Sequence, residues 1–116
     1  MKKILFILLF LTVSATLRAA DIDTLKVFSV KMQREIPTVV VTPDHAEGDR
    51  FPVAYLLHGY GGDELAWQRI RDLRPLAEQF SVIFVCPDGE NSWYWDSPLD
   101  PTSQFETFVS QELPAW

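Results

Sequence analysis

The segment with the clearest chemical potential runs from Tyr55 to Asp63 and reads YLLHGYGGD. An apolar run ends there in His58 and Gly59, and Tyr60 is followed by two more glycines. Glycine permits sharp backbone turns, and N–H groups exposed at the carboxyl end of a strand can hold a developing oxyanion. The pattern is typical of an oxyanion loop, although a plain glycine-rich turn between a strand and a helix has the same composition.

A second candidate is the aromatic segment from Ser92 to Asp96, which reads SWYWD. Aromatic side chains on a loop at the carboxyl edge of a sheet can line an acyl or sugar pocket. Trp93 and Tyr94 can equally pack the loop against the core, and the two roles are compatible. We expect Trp95 to be the most exposed of the three aromatic residues.

Few other residues offer reactive chemistry. Cys86 is the only cysteine, so no internal disulfide can form, and its place after the apolar run VIFV predicts a buried, unreactive thiol. His45 lies in a polar turn, far from His58, and neither has a nearby carboxylate pattern. The sequence therefore indicates no metal site.

Four segments are expected to form the strands that position these loops. Residues 21–32 contain alternating apolar positions, which is typical of an edge strand, and residues 36–41 are rich in valine. Residues 52–57 are apolar at every position and residues 81–85 nearly so. Such runs are typical of central strands with both faces buried.

Two helical regions complete the pattern. Apolar residues recur at helical spacing over residues 65–79, where Asp63 can cap the start and Pro75 is expected to split the region into two short helices. In the last helix, Ser103 and Glu106 have the spacing of a capping box.

The order of these elements predicts an α/β fold. The last four alternate strand, helix, strand and helix, which implies a parallel β–α–β crossover. We therefore expect a mostly parallel sheet flanked by helices. Residues 21–116 hold only part of such a sheet, because the final helix should feed a further strand.

The first residues predict export. Lys2 and Lys3 precede an apolar run over residues 4–11, and small residues follow as far as Ala15 and Ala20. This order is that of a secretory signal peptide over residues 1–20, cleaved near Ala15 to Ala20. The apolar run is shorter than the roughly 20 residues that span a bilayer, so we expect a secreted or periplasmic protein without a stable membrane anchor.

The charge balance is acidic, with a formal net charge of −6. Removal of the signal would take away Lys2, Lys3 and Arg18 and leave 7 basic residues against 16 acidic ones, a net charge of about −9. This argues against nucleic acid or an anionic membrane surface as a partner.

Residues 26–114 resemble the N-terminal half of the esterase D family of α/β-hydrolases. That family includes S-formylglutathione hydrolases, tributyrin-type carboxylesterases, feruloyl and acetyl-xylan esterases, and antigen 85 mycolyltransferases. The resemblance is carried by five segments: LLHGYGGD at 56–63 with Trp67, VCPDG at 85–89, SWY at 92–94, FETF at 105–108 and ELP at 112–114.

The resemblance implies roles for individual residues. The backbone N–H of Tyr60 would be one oxyanion-hole donor. His58 resembles the structural histidine that closes the strand, since the family's catalytic base lies much later in its chain. Four further residues are expected to contact substrate: Gly59, Gly61, Trp93 and Tyr94. No cofactor is implied.

The nucleophile elbow Gly-x-Ser-x-Gly does not occur in this sequence, whose glycines lie at 48, 59, 61, 62 and 89. In the family the elbow follows the helix that ends here near Trp116, and the acid and base come later still. We therefore expect the N-terminal portion, truncated before the elbow and inactive by itself, of an exported serine carboxylic-ester hydrolase for small acyl esters or ester-decorated glycans. The alternative is a non-catalytic glycan-binding module that uses the loop Trp93-Tyr94-Trp95.

Overall fold

A computed structural model describes residues 19–116. The signal peptide predicted over residues 1–20 therefore lies almost entirely outside the described residues. The strands are β1 (Asp21–Ser29), β2 (Arg34–Thr42), β3 (Val53–Tyr55) and β4 (Ile83–Pro87). The helices are α1 (Ala66–Ile70), α2 (Arg74–Phe80) and a C-terminal helix of three successive segments, α3 (Phe105–Thr107), a π-helical turn (Phe108–Glu112) and α4 (Leu113–Ala115).

The described strands form one sheet in the order β1-β2-β4-β3. β1 and β2 form an antiparallel hairpin, β2 pairs antiparallel with β4, and β3 pairs parallel with β4. The sheet is thus mixed in its described part, not mostly parallel as expected. The hairpin explains the difference, because a short turn can join only antiparallel strands, whereas the β3–β4 connection includes two helices.

Helices cover both faces of the sheet, as an α/β fold requires. Alternate residues of a strand point to opposite faces, and the core accordingly forms two clusters. One contains Val27, Met32, Ile36 and Val85 with Phe105, Phe108 and Leu113 of the C-terminal helix. The other contains Ala20, Val39, Val41 and Cys86 with Leu73 and Ala77 of the α1–α2 region.

The region between β3 and β4 follows the sequence pattern. The helix is split in two, and Pro75 lies in the first turn of α2. Asp63 Oδ1 accepts the Leu65 N–H at 2.9 Å just before α1. Hydrogen bonds from Arg69 and from the Leu65 N–H lower the pKa of Asp63. No helix among residues 19–116 is long and apolar enough to cross a membrane.

Two expectations about these elements are wrong. β3 is not buried on both faces, because it lies at the edge of the described sheet and leaves Val53 43% and Tyr55 39% exposed. The C-terminal helix has no capping box, since Gln104 occupies the N-cap and makes no side-chain capping bond. Instead Asp96 Oδ1, from the aromatic segment, accepts the Thr107 N–H at 3.0 Å.

Candidate active site

The glycine loop after β3 contains a tight turn. The Gly62 N–H donates to the Gly59 carbonyl at 3.1 Å, and Gly61 has φ +78°. Tyr60, the other central residue, does not have a positive φ. A positive φ at the third residue alone is the signature of a type II turn, and glycine is the residue that adopts it without strain.

Three side chains form hydrogen bonds to the backbone of this loop. Trp67 Nε1 of α1 donates to the Leu57 carbonyl at 3.1 Å. The Tyr94 hydroxyl donates to the His58 carbonyl at 2.9 Å, and Asn91 Oδ1 accepts the Gly61 N–H at 2.8 Å. The loop is therefore bonded both to the helix that follows it and to the loop after β4.

His58 is buried and has both ring nitrogens engaged. Nε2 accepts the Gly89 N–H at 2.8 Å, and Nδ1 lies 2.7 Å from the Gly59 carbonyl. A backbone N–H needs an acceptor and a carbonyl needs a donor, so we assign the neutral ring with its proton on Nδ1. This arrangement fits the structural role expected of His58 and leaves no nitrogen for a general base.

Gly89 and Tyr94 fit tightly together. A Cβ at Gly89 would lie 2.1 Å from Tyr94 Cε1. Ser92 Oγ donates to the Gly89 carbonyl at 2.6 Å and accepts the Tyr94 N–H at 3.1 Å. Burial raises the pKa of Tyr94, so its hydroxyl stays protonated and serves as the donor to His58.

The aromatic segment turns one ring inward and leaves two outside. Trp93 and Tyr94 have φ +57° and +53°, and this bend directs Tyr94 toward His58. Trp93 is 78% exposed and Trp95 53%, so the expectation that Trp95 is the most exposed is wrong. Tyr60 is 77% exposed, and its ring centroid lies 6.1 Å from that of Trp93.

These residues surround a small pocket of about 120 Å³, lined by His58, Gly59, Tyr60, Glu90, Asn91, Trp93 and Tyr94. Four of the residues proposed from the sequence, Gly59, Tyr60, Trp93 and Tyr94, thus line one pocket, and Gly61 follows Tyr60 in the chain. Sequence reasoning missed Asn91, although it directly precedes the matched residues SWY. A larger, open polar depression adjoins the pocket along Glu90 and Asn91.

The Tyr60 amide is the oxyanion donor that the family resemblance implies for this pocket. Its N–H makes no hydrogen bond to any of residues 19–116. A backbone donor without a partner, beside a pocket at the carboxyl end of a strand, can bind a carbonyl oxygen that gains negative charge.

Cys86 is not a candidate for the catalytic nucleophile. It is buried, as expected, and burial raises the pKa of its thiol to about 11. The thiolate is therefore scarce at neutral pH. Across residues 19–116, no cluster of three or more His, Cys, Asp or Glu side chains could hold a metal ion.

The family model described as "Putative esterase" matches residues 29–116. The chain belongs to this esterase family. An acetyl esterase from Caldicellulosiruptor saccharolyticus is 31% identical over 67 residues, which cover 58% of this chain and 25% of that protein. The chain thus spans about a quarter of this relative's length.

Solved structures confirm the α/β-hydrolase fold. The serine hydrolase FphF from Staphylococcus aureus superposes with a TM-score of 0.72 at 15% identity, covering 84% of this chain and 40% of that one. MPT51 from Mycobacterium tuberculosis gives 0.65 at 28% identity, covering 83% and 35%. An S-formylglutathione hydrolase from Agrobacterium tumefaciens gives 0.68 at 22% identity, covering 83% and 42%.

Proposed function

We propose that this chain supplies the oxyanion loop and part of the pocket wall of an exported serine carboxylic-ester hydrolase. Membership of the esterase family supports hydrolysis of an ester. The observation that carries the proposal is the unpartnered Tyr60 N–H beside the pocket of Gly59, Trp93 and Tyr94. In this proposal, sequence beyond Trp116 contributes the nucleophilic serine, the acid and the base, so residues 1–116 alone do not turn over an ester.

The reaction proceeds through an acyl-enzyme. The catalytic base takes the serine proton as the serine oxygen attacks the ester carbonyl, whose oxygen becomes an oxyanion, and the alcohol leaves with that proton. Water, activated by the same base, then attacks the acyl-enzyme and releases the carboxylic acid and the free serine. The Tyr60 N–H donates to that oxyanion, and the residue after the nucleophile supplies the second donor. Loss of one such donor costs roughly 2.7–4 kcal/mol of transition-state stabilisation.

Small acyl esters or ester-decorated glycans are the proposed substrates. The small pocket favours a short acyl group or a single ring. One relative is named an acetyl esterase, and one of the similar structures is a ferulic acid esterase with ferulic acid bound. The predicted export signal argues against the cytoplasmic substrate S-formylglutathione. No cofactor enters the reaction.

A glycan-binding module without catalysis is the second candidate. The exposed rings of Tyr60 and Trp93 lie 6.1 Å apart and are tilted by 32°. Exposed aromatic faces of this kind can stack on sugar rings. Measurable binding of a xylo-oligosaccharide by the 116-residue chain, with no esterase activity in any longer product of the gene, would favour this candidate.

The coding DNA and an activity assay test the proposal. A Gly-x-Ser-x-Gly run within roughly 30 codons after codon 116 is expected from the family order of elements. The longer product should hydrolyse p-nitrophenyl acetate, whereas the 116-residue chain should not exceed background. A stop codon at position 117, or saturable activity from the 116-residue chain, would contradict the proposal.

Two substitutions at one position isolate the backbone donor. Proline suits the second position of a type II turn but has no N–H, so Tyr60→Pro keeps the turn and deletes the donor. In the longer product, Tyr60→Pro should lower kcat by about 100- to 1000-fold. Tyr60→Ala retains the N–H and should keep kcat within about threefold of wild type. Equal losses in the two variants would show that the side chain matters and the amide does not.

A further inference from the structure

The peptide between Tyr60 and Gly61 can adopt two orientations in a turn of this kind. Type I and type II turns differ by a flip of this central peptide, and φ of the third residue changes from about −90° to about +80°. Gly61 has φ +78°, so the peptide is in the type II orientation. The side of this peptide that faces the pocket, either its N–H or its C=O, therefore depends on the contacts that stabilise the type II orientation.

Asn91 contacts this peptide directly. Its Oδ1 accepts the Gly61 N–H at 2.8 Å, and Asn91 also lines the pocket. A trans peptide is planar, with its N–H and C=O pointing in opposite directions. The Tyr60 carbonyl therefore points away from Asn91. In the flipped turn this carbonyl would face Asn91 and bring its lone pairs toward the oxyanion site.

We propose that Asn91 is a positioning residue, which holds the Tyr60–Gly61 peptide so that the Tyr60 carbonyl stays turned away from the developing oxyanion. The proposal rests on the esterase function proposed above. It adds that a residue in the loop after β4 determines the direction in which the Tyr60 carbonyl points in the loop after β3. Asn91 acts through the backbone and makes no contact with the ester itself.

Amide hydrogen exchange tests the contact without any turnover. In the 116-residue chain, Asn91→Ala should make the Gly61 amide exchange about tenfold faster, the loss expected for one hydrogen bond. Asn91→Asp keeps an acceptor oxygen and should preserve protection. Gln79→Ala truncates an exposed amide side chain on α2 and serves as the control. Unchanged Gly61 exchange in Asn91→Ala would overturn the proposal.

Kinetics of the longer product test the consequence. Asn91→Ala should lower kcat about 10- to 100-fold with KM within about threefold, because the effect is confined to the transition state. Gly61→Ala should give a similar loss, since a Cβ there meets no atom within 4 Å but the positive φ is strained. Because both changes release the same peptide, the double variant should be no worse than the more severe single one.

Other outcomes separate the two proposals. A raised KM with unchanged kcat in Asn91→Ala would make Asn91 a substrate contact, and additive losses in the double variant would show independent effects. Either result overturns the positioning role. Absence of esterase activity in the wild-type longer product contradicts the esterase function, whereas the exchange result tests the Asn91 contact in either case.

Discussion

At the scale of residues, neutral hydrogen bonds hold the Tyr60 loop in place. His58 accepts the Gly89 N–H, Tyr94 donates to the His58 carbonyl, and Trp67 donates to the Leu57 carbonyl. Each bond satisfies a backbone group that would otherwise lose solvation inside the site. The Tyr60 N–H, which has no partner among residues 19–116, is thus held in place by the bonds around it, as effective electrostatic stabilisation requires.

Gly89 is expected to be irreplaceable for steric reasons. In Gly89→Ala the new Cβ would lie 2.1 Å from the Tyr94 ring, so the ring must move and its bond to the His58 carbonyl is lost. We expect a loss of about 1–3 kcal/mol in the free energy of unfolding, measured by urea denaturation. Gly59→Ala, where a Cβ meets no atom within 4 Å, is the matched control. Equal stability of the two variants would refute this account of Gly89.

Some residues of the pocket could be predicted from the sequence, and others could not. The family motif placed Gly59, Tyr60 and Tyr94 together because its segments keep a fixed order. Asn91 was missed because its bond to the Gly61 N–H joins two loops that are distant in the sequence, which no local pattern indicates. The expected order of exposure of Trp93 and Trp95 was wrong because it depends on the two successive positive φ angles at Trp93 and Tyr94, which no local sequence signal predicts.

At the scale of elements, the C-terminal helix is tied to the rest of the chain by two carboxylates. Glu112 accepts hydrogen bonds from the Ser29 hydroxyl and from the Val30 and Lys31 amides in the β1–β2 turn. Asp96, on the aromatic segment, bonds the Thr107 hydroxyl and the Lys31 ammonium. The helix thereby connects the hairpin to the segment that carries the pocket aromatics.

The Asp96 cluster predicts a contribution to acid stability. Burial raises the pKa of Asp96, but hydrogen bonds from Thr107 and Lys31 outweigh it and lower the pKa to about 2 from 3.8. A depressed folded-state pKa stabilises the fold above about pH 4, and the contribution fades as pH falls through 2. Asp96→Asn should therefore cost roughly 1–2 kcal/mol at pH 6 and almost nothing at pH 2.

Urea denaturation of wild type and variant across this pH range provides the measurement. Asp23→Asn, an exposed substitution on β1, controls for the general effect of removing a negative charge. A wild-type-to-variant difference that stays constant from pH 6 to pH 2 would contradict the assignment of this ionic cluster.

Most helices and strands could be predicted from the sequence, but the contacts that they make with neighbouring segments could not. Pro75 and the apolar spacing predicted the split of α1 from α2, since both signals are local. The capping box failed because Asp96, eleven residues before Thr107 in the chain, accepts the Thr107 N–H, a contact that the local pattern of Ser103 and Glu106 does not indicate. The exposure of β3 depends on which strand lies beside it and not on its own apolar residues.

At the scale of the whole molecule, β3 leaves an apolar sheet edge uncovered among residues 19–116. Val53, Tyr55 and Leu57 are each more than a third exposed there. An open strand edge with apolar side chains promotes pairing with other chains. The two solved structures that superpose on the chain with TM-scores of 0.72 and 0.68 are about twice its length.

The 116-residue chain is therefore expected to self-associate. Tyr55→Lys places a charge on this edge and should increase the monomer fraction seen by sedimentation velocity. Leu99→Lys removes a side chain that is more exposed but lies on the loop before the C-terminal helix, so it should have little effect. A monodisperse wild-type monomer, or equal effects of the two substitutions, would contradict this expectation.

For the proposed exported protein, packing at the start of the described chain favours the earlier of the two expected cleavage sites. Ala20 is only 6% exposed and packs in the cluster with Val39, Val41 and Leu73. Cleavage after Ala15 would keep this contact, whereas cleavage after Ala20 would remove it. The mass of the exported protein should therefore correspond to an N-terminus at Thr16. A mass that corresponds to Asp21 would show that the Ala20 contact is dispensable.

The most direct test of the central claim is a crystal structure of the longer product inactivated by diethyl p-nitrophenyl phosphate. This probe attaches a phosphoryl group to a nucleophilic serine and places an oxygen where the oxyanion would form. We expect that oxygen to lie about 2.7–3.1 Å from the Tyr60 nitrogen, with the Gly61 N–H still bonded to Asn91. A phosphoryl oxygen held by other donors, away from the Tyr60 amide, would contradict the account.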